Sequence, residues 1–389
     1  MLFLKNKIDF LNQKSKIFNN NFLPLLLIVF YVTEAYSKII ANYSGEYSLL
    51  PRYVKLITVG YIFISLFIYQ RKRLLKHIFV LVFFFIIGQF QIDCGFSFNS
   101  ILTIGRYLFP IILFLFFFDT KSGVNNKKMI FKSFEMILLI NSILIFLGVI
   151  FKIELFQTYS ASRFGYNGLL LTSATSTYVY IITIFYFLLS FNENIKVNWR
   201  ITTILLSSLL IGTKAIYLIV FIVFIYFAFI KVKSKYKYWF VALSVLLTSF
   251  IGYLFFFKFG RFNQIRLNKG LLSSVLSYRN ELLLEDTIPF IKQKWTYLNY
   301  MFGGVCEFDT RSEMGIIDVI YFWGFIGGAL YLWTYYKTYF TFKIDGLIIV
   351  FILALFIIIS LAGNFFFYAT IPVYLLILKE KILFIQENK

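Results

Sequence analysis

Histidine, cysteine and charge are all scarce in this chain. One histidine, His77, and two cysteines, Cys94 and Cys306, stand among 389 residues. They form no metal-ligand spacing, which argues against a zinc site and against metal-dependent catalysis. Charged residues make up 14% of the chain, against roughly 25% in soluble domains, too few to cover a water-soluble fold of this size. The first apolar stretch, Phe22 to Ile40, lacks a small-residue cleavage site and holds Thr33 and Glu34, so it reads as a retained span. No internal repeat is evident, which disfavours a carrier built from two related halves.

What the chain has instead is apolar surface. Hydrophobic residues reach 60%, aromatics 22% and mean hydropathy +0.80, arranged in runs close to the roughly 20 residues that span a hydrocarbon core. These predict an all-α polytopic membrane protein of about twelve spans in a single domain, 1–389. The runs are Phe22 to Ile40, Tyr53 to Tyr69, His77 to Gln91, Ser100 to Phe118, Met129 to Phe151 and Leu169 to Phe191. Arg200 to Thr213, Ala215 to Ile230, Trp239 to Phe257, Met314 to Tyr336, Gly346 to Leu361 and Phe365 to Leu378 complete the set. Ten spans would follow if either hairpin, Arg200 to Ile230 or Gly346 to Leu378, failed to cross.

The formal charge of +20 would suggest nucleic acid in a soluble protein, but most lysines and arginines fall in short breaks between runs. That is the pattern of cytoplasmic loops. With the N-terminus inside, Arg71, Lys72, Arg73 and Lys76, then Lys121, Lys127 and Lys128, then Lys231, Lys233, Lys235 and Lys237, then Lys337 and Lys343 all fall on the cytoplasmic side. A C-terminal tail with Lys379, Lys381 and Lys389 joins them.

The other side receives one long segment, 258–313, between the ninth and tenth spans. Loops of this length are uncommon and usually functional, and this one is too rich in Leu, Tyr, Phe and Trp to be a disordered linker. Asp286 is placed to cap a helix with Pro289 in its first turn, and Ile288, Ile291, Trp295 and Leu298 repeat along one face. An amphipathic lid on neighbouring loops is the expectation, with substrate contact as the alternative.

External loops ordinarily carry few cations, yet Arg163, Arg261, Arg266, Lys269, Arg279, Lys292, Lys294 and Arg311 map there. Guanidinium forks match phosphate oxygens, so the cluster points to a phosphate-bearing ligand, against the plainer reading of lipid headgroups or acidic neighbours. Lys214, in Gly212-Thr213-Lys214-Ala215, either faces a ligand or snorkels at a turn. Arg106, inside the fourth run, calls for a buried partner such as Asp93 or Glu34, or for a ligand. Glu313 and Asp318 mark the re-entry into the membrane, five residues and so about 140° apart on a helix. Either is a candidate general base or an ion-pair partner of an arginine. Beyond them Gly324, Gly327 and Gly328 suggest a small-residue face for helix packing. Cys94 and Cys306 both map outside, where a disulfide is permitted by compartment and free buried thiols are the alternative.

Arg163-Phe164-Gly165-Tyr166-Asn167-Gly168, Gly212-Thr213-Lys214-Ala215, Tyr278-Arg279-Asn280 and Ser312-Glu313-Met314 through Asp318 to Trp323-Gly324-Phe325-Ile326-Gly327 together resemble the bacterial O-antigen polymerase and ligase superfamily. These are membrane glycosyltransferases with a GT-C-like helical fold. The resemblance implies a metal-independent, cofactor-free polymerase of lipid-linked oligosaccharide repeats in the bacterial inner membrane. It implies undecaprenyl-pyrophosphate-linked oligosaccharide, membrane lipids and a chain-length regulator as partners. Arg279, Glu313 and Asp318 would then be catalytic, while Arg163, Lys214, Arg261, Arg266 and Arg106 would bind pyrophosphate or glycan. The family break usually holds Arg where this chain has Lys214. Ligases place a histidine near the position of Glu313, and its absence here favours a polymerase. A ligase, or a flippase or exporter of the same lipid, are the alternatives.

Overall fold

The computed structural model describes residues 2–68, 72–118, 124–159, 163–192, 198–231, 234–258, 260–306 and 308–388. Among them there is no β-strand, only an isolated antiparallel bridge between Gln157 and Tyr166. The helices before the long segment are α1 (Leu2–Ser44), α2 (Leu50–Ile68), α3 (Lys72–Phe90), α4 (Phe98–Phe116), α5 (Val124–Phe151), α6 (Ser173–Asn192), α7 (Trp199–Leu209), α8 (Lys214–Lys231) and α9 (Ser234–Tyr253). Among the described residues of the segment itself there are five short α-helices, α10 (Gly260–Lys269), α11 (Leu271–Leu276), α12 (Arg279–Glu281), α13 (Ile288–Lys294) and α14 (Tyr297–Phe302), with a π-helical turn at Leu282–Thr287 and a 3-10 turn at Phe308–Thr310. Then come α15 (Gly315–Tyr339), α16 (Gly346–Leu361) and α17 (Ile371–Glu387).

Phe22–Ser44 of α1, α4, α5, Ser173–Phe191 of α6, and α15 are each long and apolar enough to cross a bilayer. Leu75–Phe90, Lys214–Phe227 and Gly346–Leu361 are apolar but shorter. This is the pattern of a membrane protein, whose helices satisfy their own backbone groups where water cannot. α6 and α17 form its interior: Tyr178 to Ser190 and Ile371 to Ile382 are buried throughout. The outward faces stay apolar, as Leu243, Leu246 and Phe250 of α9 and Leu353 and Phe356 of α16 illustrate.

Two predicted runs differ from the helices found. The Arg200 to Thr213 run gives only the 11 residues of α7, about 17 Å at 1.5 Å per residue, because Gly212 takes a left-handed φ of 73° and breaks the chain. The last helix starts at Ile371 rather than Phe365 and continues to Glu387. Lys379 and Lys381 therefore sit in a buried helix rather than a tail. Lys379 Nζ donates to the Thr338 carbonyl at 3.2 Å, and Lys381 lies over the Phe131 and Tyr186 rings. Of the basic residues expected on the cytoplasmic side, Arg71, Lys121, Lys233 and Lys389 lie outside the described residues.

The loops expected to share one face do meet at one end of the bundle. Cys94 and Cys306 form a disulfide that ties the α3–α4 loop to the long segment, deciding against free thiols. Gln89 of α3 exchanges hydrogen bonds with the Val305 backbone, and Asn299 donates to the Gly88 carbonyl at 2.7 Å. Gly324, at φ 70°, interrupts α15, and a Cβ there would run into the Met301 backbone. It thus serves as a seat for the long segment. Gly328 faces only its own helix, and Gly327 has Phe84 of α3 at 3.9 Å, so the three glycines do not form one helix-packing face.

The long segment is a folded cap. Asp286 falls in a π-helical turn, Leu282–Thr287, and caps no helix. α13 starts at Ile288 with Pro289 in its first turn and ends before Trp295, whose ψ of 131° is extended. The predicted stripe is therefore cut, and Leu298 belongs to α14. Phe290 and Trp295 still dock, both against Tyr321 of α15.

Candidate functional site

Two motifs 49 residues apart in sequence interlock at the capped end. Tyr166 N donates to the Leu210 carbonyl at 2.8 Å, and Thr158 Oγ1 donates to the Ile211 carbonyl. A Cβ at Gly165 would strike the Ile211 carbonyl, and one at Gly212 the Phe164 carbonyl, so only glycine permits this approach. Behind the loop, Asn141 of α5 accepts from the Leu169 amide and donates to the Asn167 carbonyl. Lys38 of α1 donates to Asn167 Oδ1 at 2.5 Å and to the Gly168 and Gln157 carbonyls.

The clamp brings Arg163 beside Lys214. Both cations lie over the Phe262 ring of α10, at 4.5 and 3.9 Å from its centroid, an arrangement that favours cations electrostatically. Arg163 also lies over Tyr159 and donates to the Gly212 carbonyl at 3.0 Å. Its burial, with Arg261 and Arg279 nearby, holds its pKa below the usual arginine value, though a guanidinium stays charged regardless. Lys214 donates to the Ser274 and Val275 carbonyls and to Ser277 Oγ. Those three bonds match its three N–H donors, so here it anchors α11.

Arg279 follows two residues in the left-handed region, Ser277 and Tyr278 at φ 56° and 68°. The resulting turn aims its guanidinium at the re-entry segment. Nε donates to the Glu313 carbonyl at 3.0 Å, NH1 to the Leu276 carbonyl, and NH2 is 3.7 Å from Glu313 Oε2. Glu313 itself has φ 55°, and Arg311 approaches its other oxygen at 3.9 Å. One half-exposed carboxylate thus joins two arginines.

Beyond Arg311 lies a second group. Arg106 and Arg311 are 4.4 and 4.5 Å from the Phe367 centroid, beside a cavity of about 460 Å³ lined also by Asn99, Leu102, Thr103 and Asp309. Neither proposed partner of Arg106 pairs with it: Glu34 pairs with Lys55 at 2.6 Å and Asp93 with Lys294 at 3.3 Å. Asp318 is buried and accepts from Ser312 Oγ at 2.9 Å. Arg266 turns inward, donating to Asn263 and the Phe256 carbonyl, while Arg261 is exposed at the rim.

Arg163, Lys214, Arg279 and Glu313 therefore come together, Arg106 and Arg311 form an adjoining group, Asp318 is buried close enough to feel the Arg311 and Glu313 charges, and Arg266 is engaged elsewhere. Sequence reasoning missed Lys38, Asn141, Phe262 and Phe367; a lysine within the largely apolar first span was the available signal. Comparison with family models, with curated proteins and with solved structures returns no match.

Proposed function

We propose that this chain is a membrane glycosyltransferase that polymerises lipid-linked oligosaccharide repeats. The observation that carries the reading is the gathering of charge under a folded cap: Arg163 and Arg279 lie close enough to act on each other, and Arg279 reaches Glu313. In this reading the chain crosses the bacterial inner membrane twelve times, with α7 as a short pass and both termini cytoplasmic. The cap, 258–313, lies in the periplasm, and the Cys94–Cys306 disulfide supports an oxidising side for it.

Arg163 and Arg279 would hold the diphosphate of an undecaprenyl-linked donor, with Arg261 at the entrance. Preorganised positive charge of this kind stabilises a departing diphosphate. A hydroxyl on the incoming repeat attacks the anomeric carbon, the bond from that carbon to the diphosphate oxygen breaks, and the lipid diphosphate leaves with the electron pair. Glu313 orients the hydroxyl and accepts its proton. Asp318, buried against Ser312, holds the re-entry turn rather than touching substrate. His77 packs against Trp333, late in α15, whereas Glu313 precedes that helix, which favours polymerase over ligase. The test is a gel of surface polysaccharide from a deletion strain carrying Arg279→Ala or Glu313→Gln. Shortened or lost polymer is expected; unchanged length and yield in both overturns the reading.

A further inference from the structure

Arg106 stands in a candidate membrane span, α4, with no carboxylate within ion-pair distance among the described residues. Such a charge is costly unless it faces a polar cavity or an anion. It lines the cavity described above, with Arg311 on the same Phe367 ring. Arg52 and Arg311 both act on it electrostatically as like charges, so positive charge gathers here, with Asp309 on the same wall.

The walls narrow the choice of anion. Five of the seven lining residues, Asn99, Thr103, Arg106, Asp309 and Arg311, are polar or charged, a poor bed for an acyl chain. Asp309 repels a phosphate dianion more strongly than a singly charged carboxylate, and it accepts hydrogen bonds from sugar hydroxyls. The volume, about 460 Å³, falls within the roughly 300–1,000 Å³ of small-molecule sites and exceeds what a bare ion needs. Glu313 connects this group to Arg279 through Arg311, which sets the cavity on the opposite side of that carboxylate from the Arg163 cluster.

We propose that this cavity is a subsite for an acidic sugar of the acceptor glycan, with Arg106 binding its carboxylate and Asp309, Asn99 and Thr103 meeting its hydroxyls. The choice of a sugar rests on the glycan-transfer reading above. It makes Arg106 a specificity-determining residue: the repeat that this chain joins carries a uronic acid at or next to the attacking residue.

The test uses the purified full chain in neutral detergent, with methyl β-glucuronide and methyl β-glucoside as probes and saturation-transfer difference NMR as the measurement. The glucuronide should bind at least about 10-fold more tightly than the glucoside, because a charged hydrogen bond contributes enough for that ratio. Arg106→Gln should erase the preference, Arg106→Lys should keep part of it, and Asp309→Asn should weaken both probes. Retention of glucoside binding in Arg106→Gln shows that the variant is folded. Equal binding of the two probes, or a preference that survives Arg106→Gln, overturns the proposal. So does displacement of the glucuronide by phosphatidylglycerol more effectively than by free glucuronic acid, which would make the cavity a lipid-headgroup site. Arg279→Ala separates the two readings: it should leave glucuronide binding intact while abolishing polymer. Intact binding with unchanged polymer sinks the transfer reading alone.

Discussion

The two ends of this bundle treat charge in opposite ways. At the end opposite the cap, cations are absorbed by the helices: Lys127 is buried and pairs with Glu387 at 2.5 Å, and Lys379 and Lys381 are held by a carbonyl and by rings within the core. At the capped end, Arg163 and Arg106 sit over aromatic rings with no carboxylate in ion-pair range among the described residues. Aromatic faces stabilise a cation without neutralising it. The first end spends its charges on holding helices together; in the proposed reading, the second keeps Arg163 and Arg106 available to an anion.

The largest expected effect belongs to Arg279. Arg279→Ala should lower polymer formation about 100- to 1,000-fold, the usual loss for one donor to developing negative charge, as read by yield on a polysaccharide gel. Arg279→Lys should recover only part, because a lysine keeps the charge without the fork. An unaffected yield would mean that the capped end holds its charge for structure, as the other end does.

Next comes the seat of the cap. Gly324→Ala places a Cβ against the Met301 backbone at a positive φ, which should destabilise the protein by about 3 kcal/mol, measured as a lowered melting temperature in detergent. Replacing Cys94 and Cys306 together by serine should cost about 2–4 kcal/mol. That loss should show as faster proteolysis within 258–313, with the rest of the chain protected.

Lys38→Met is a subtler probe. It removes three hydrogen bonds from the Arg163 loop and should destabilise by about 1.5–3 kcal/mol, as charged hydrogen bonds do, with reduced polymer yield. The smallest effect belongs to the other end. Glu387→Gln, on a half-exposed partner of Lys127, should change stability by less than about 1 kcal/mol and leave polymer untouched. A loss of polymer there would erase the contrast between the ends.

Much of this was legible in the sequence for physical reasons. Apolar runs of bilayer length announce helices whatever their neighbours, and α15 lies within a few residues of its predicted place. The aromatic content of 258–313 announced a folded segment. The Gly212 motif announced a turn, but neither it nor the Gly165 motif announced the other, since their interlock depends on a backbone approach that no local pattern encodes. The fate of Trp295 was equally hidden: helical spacing placed it on a stripe, and docking on Tyr321 with its indole donating to the Gly304 carbonyl ends the helix there. Lys379 and Lys381 read as tail charges because apolarity falls at Leu378, yet Thr338, Phe131 and Tyr186 from three other helices receive them. Lys38 escaped notice because its partners are loop oxygens more than 100 residues away.

In the proposed reading the capped end faces away from the cytosol, where a lipid-linked sugar can reach its arginines. Tyr297 is 91% exposed on the cap, so Tyr297→Cys offers a thiol free to react. In intact cells a membrane-impermeant maleimide should label it fully once the outer barrier is opened. Labelling only after the inner membrane is permeabilised would contradict the claim.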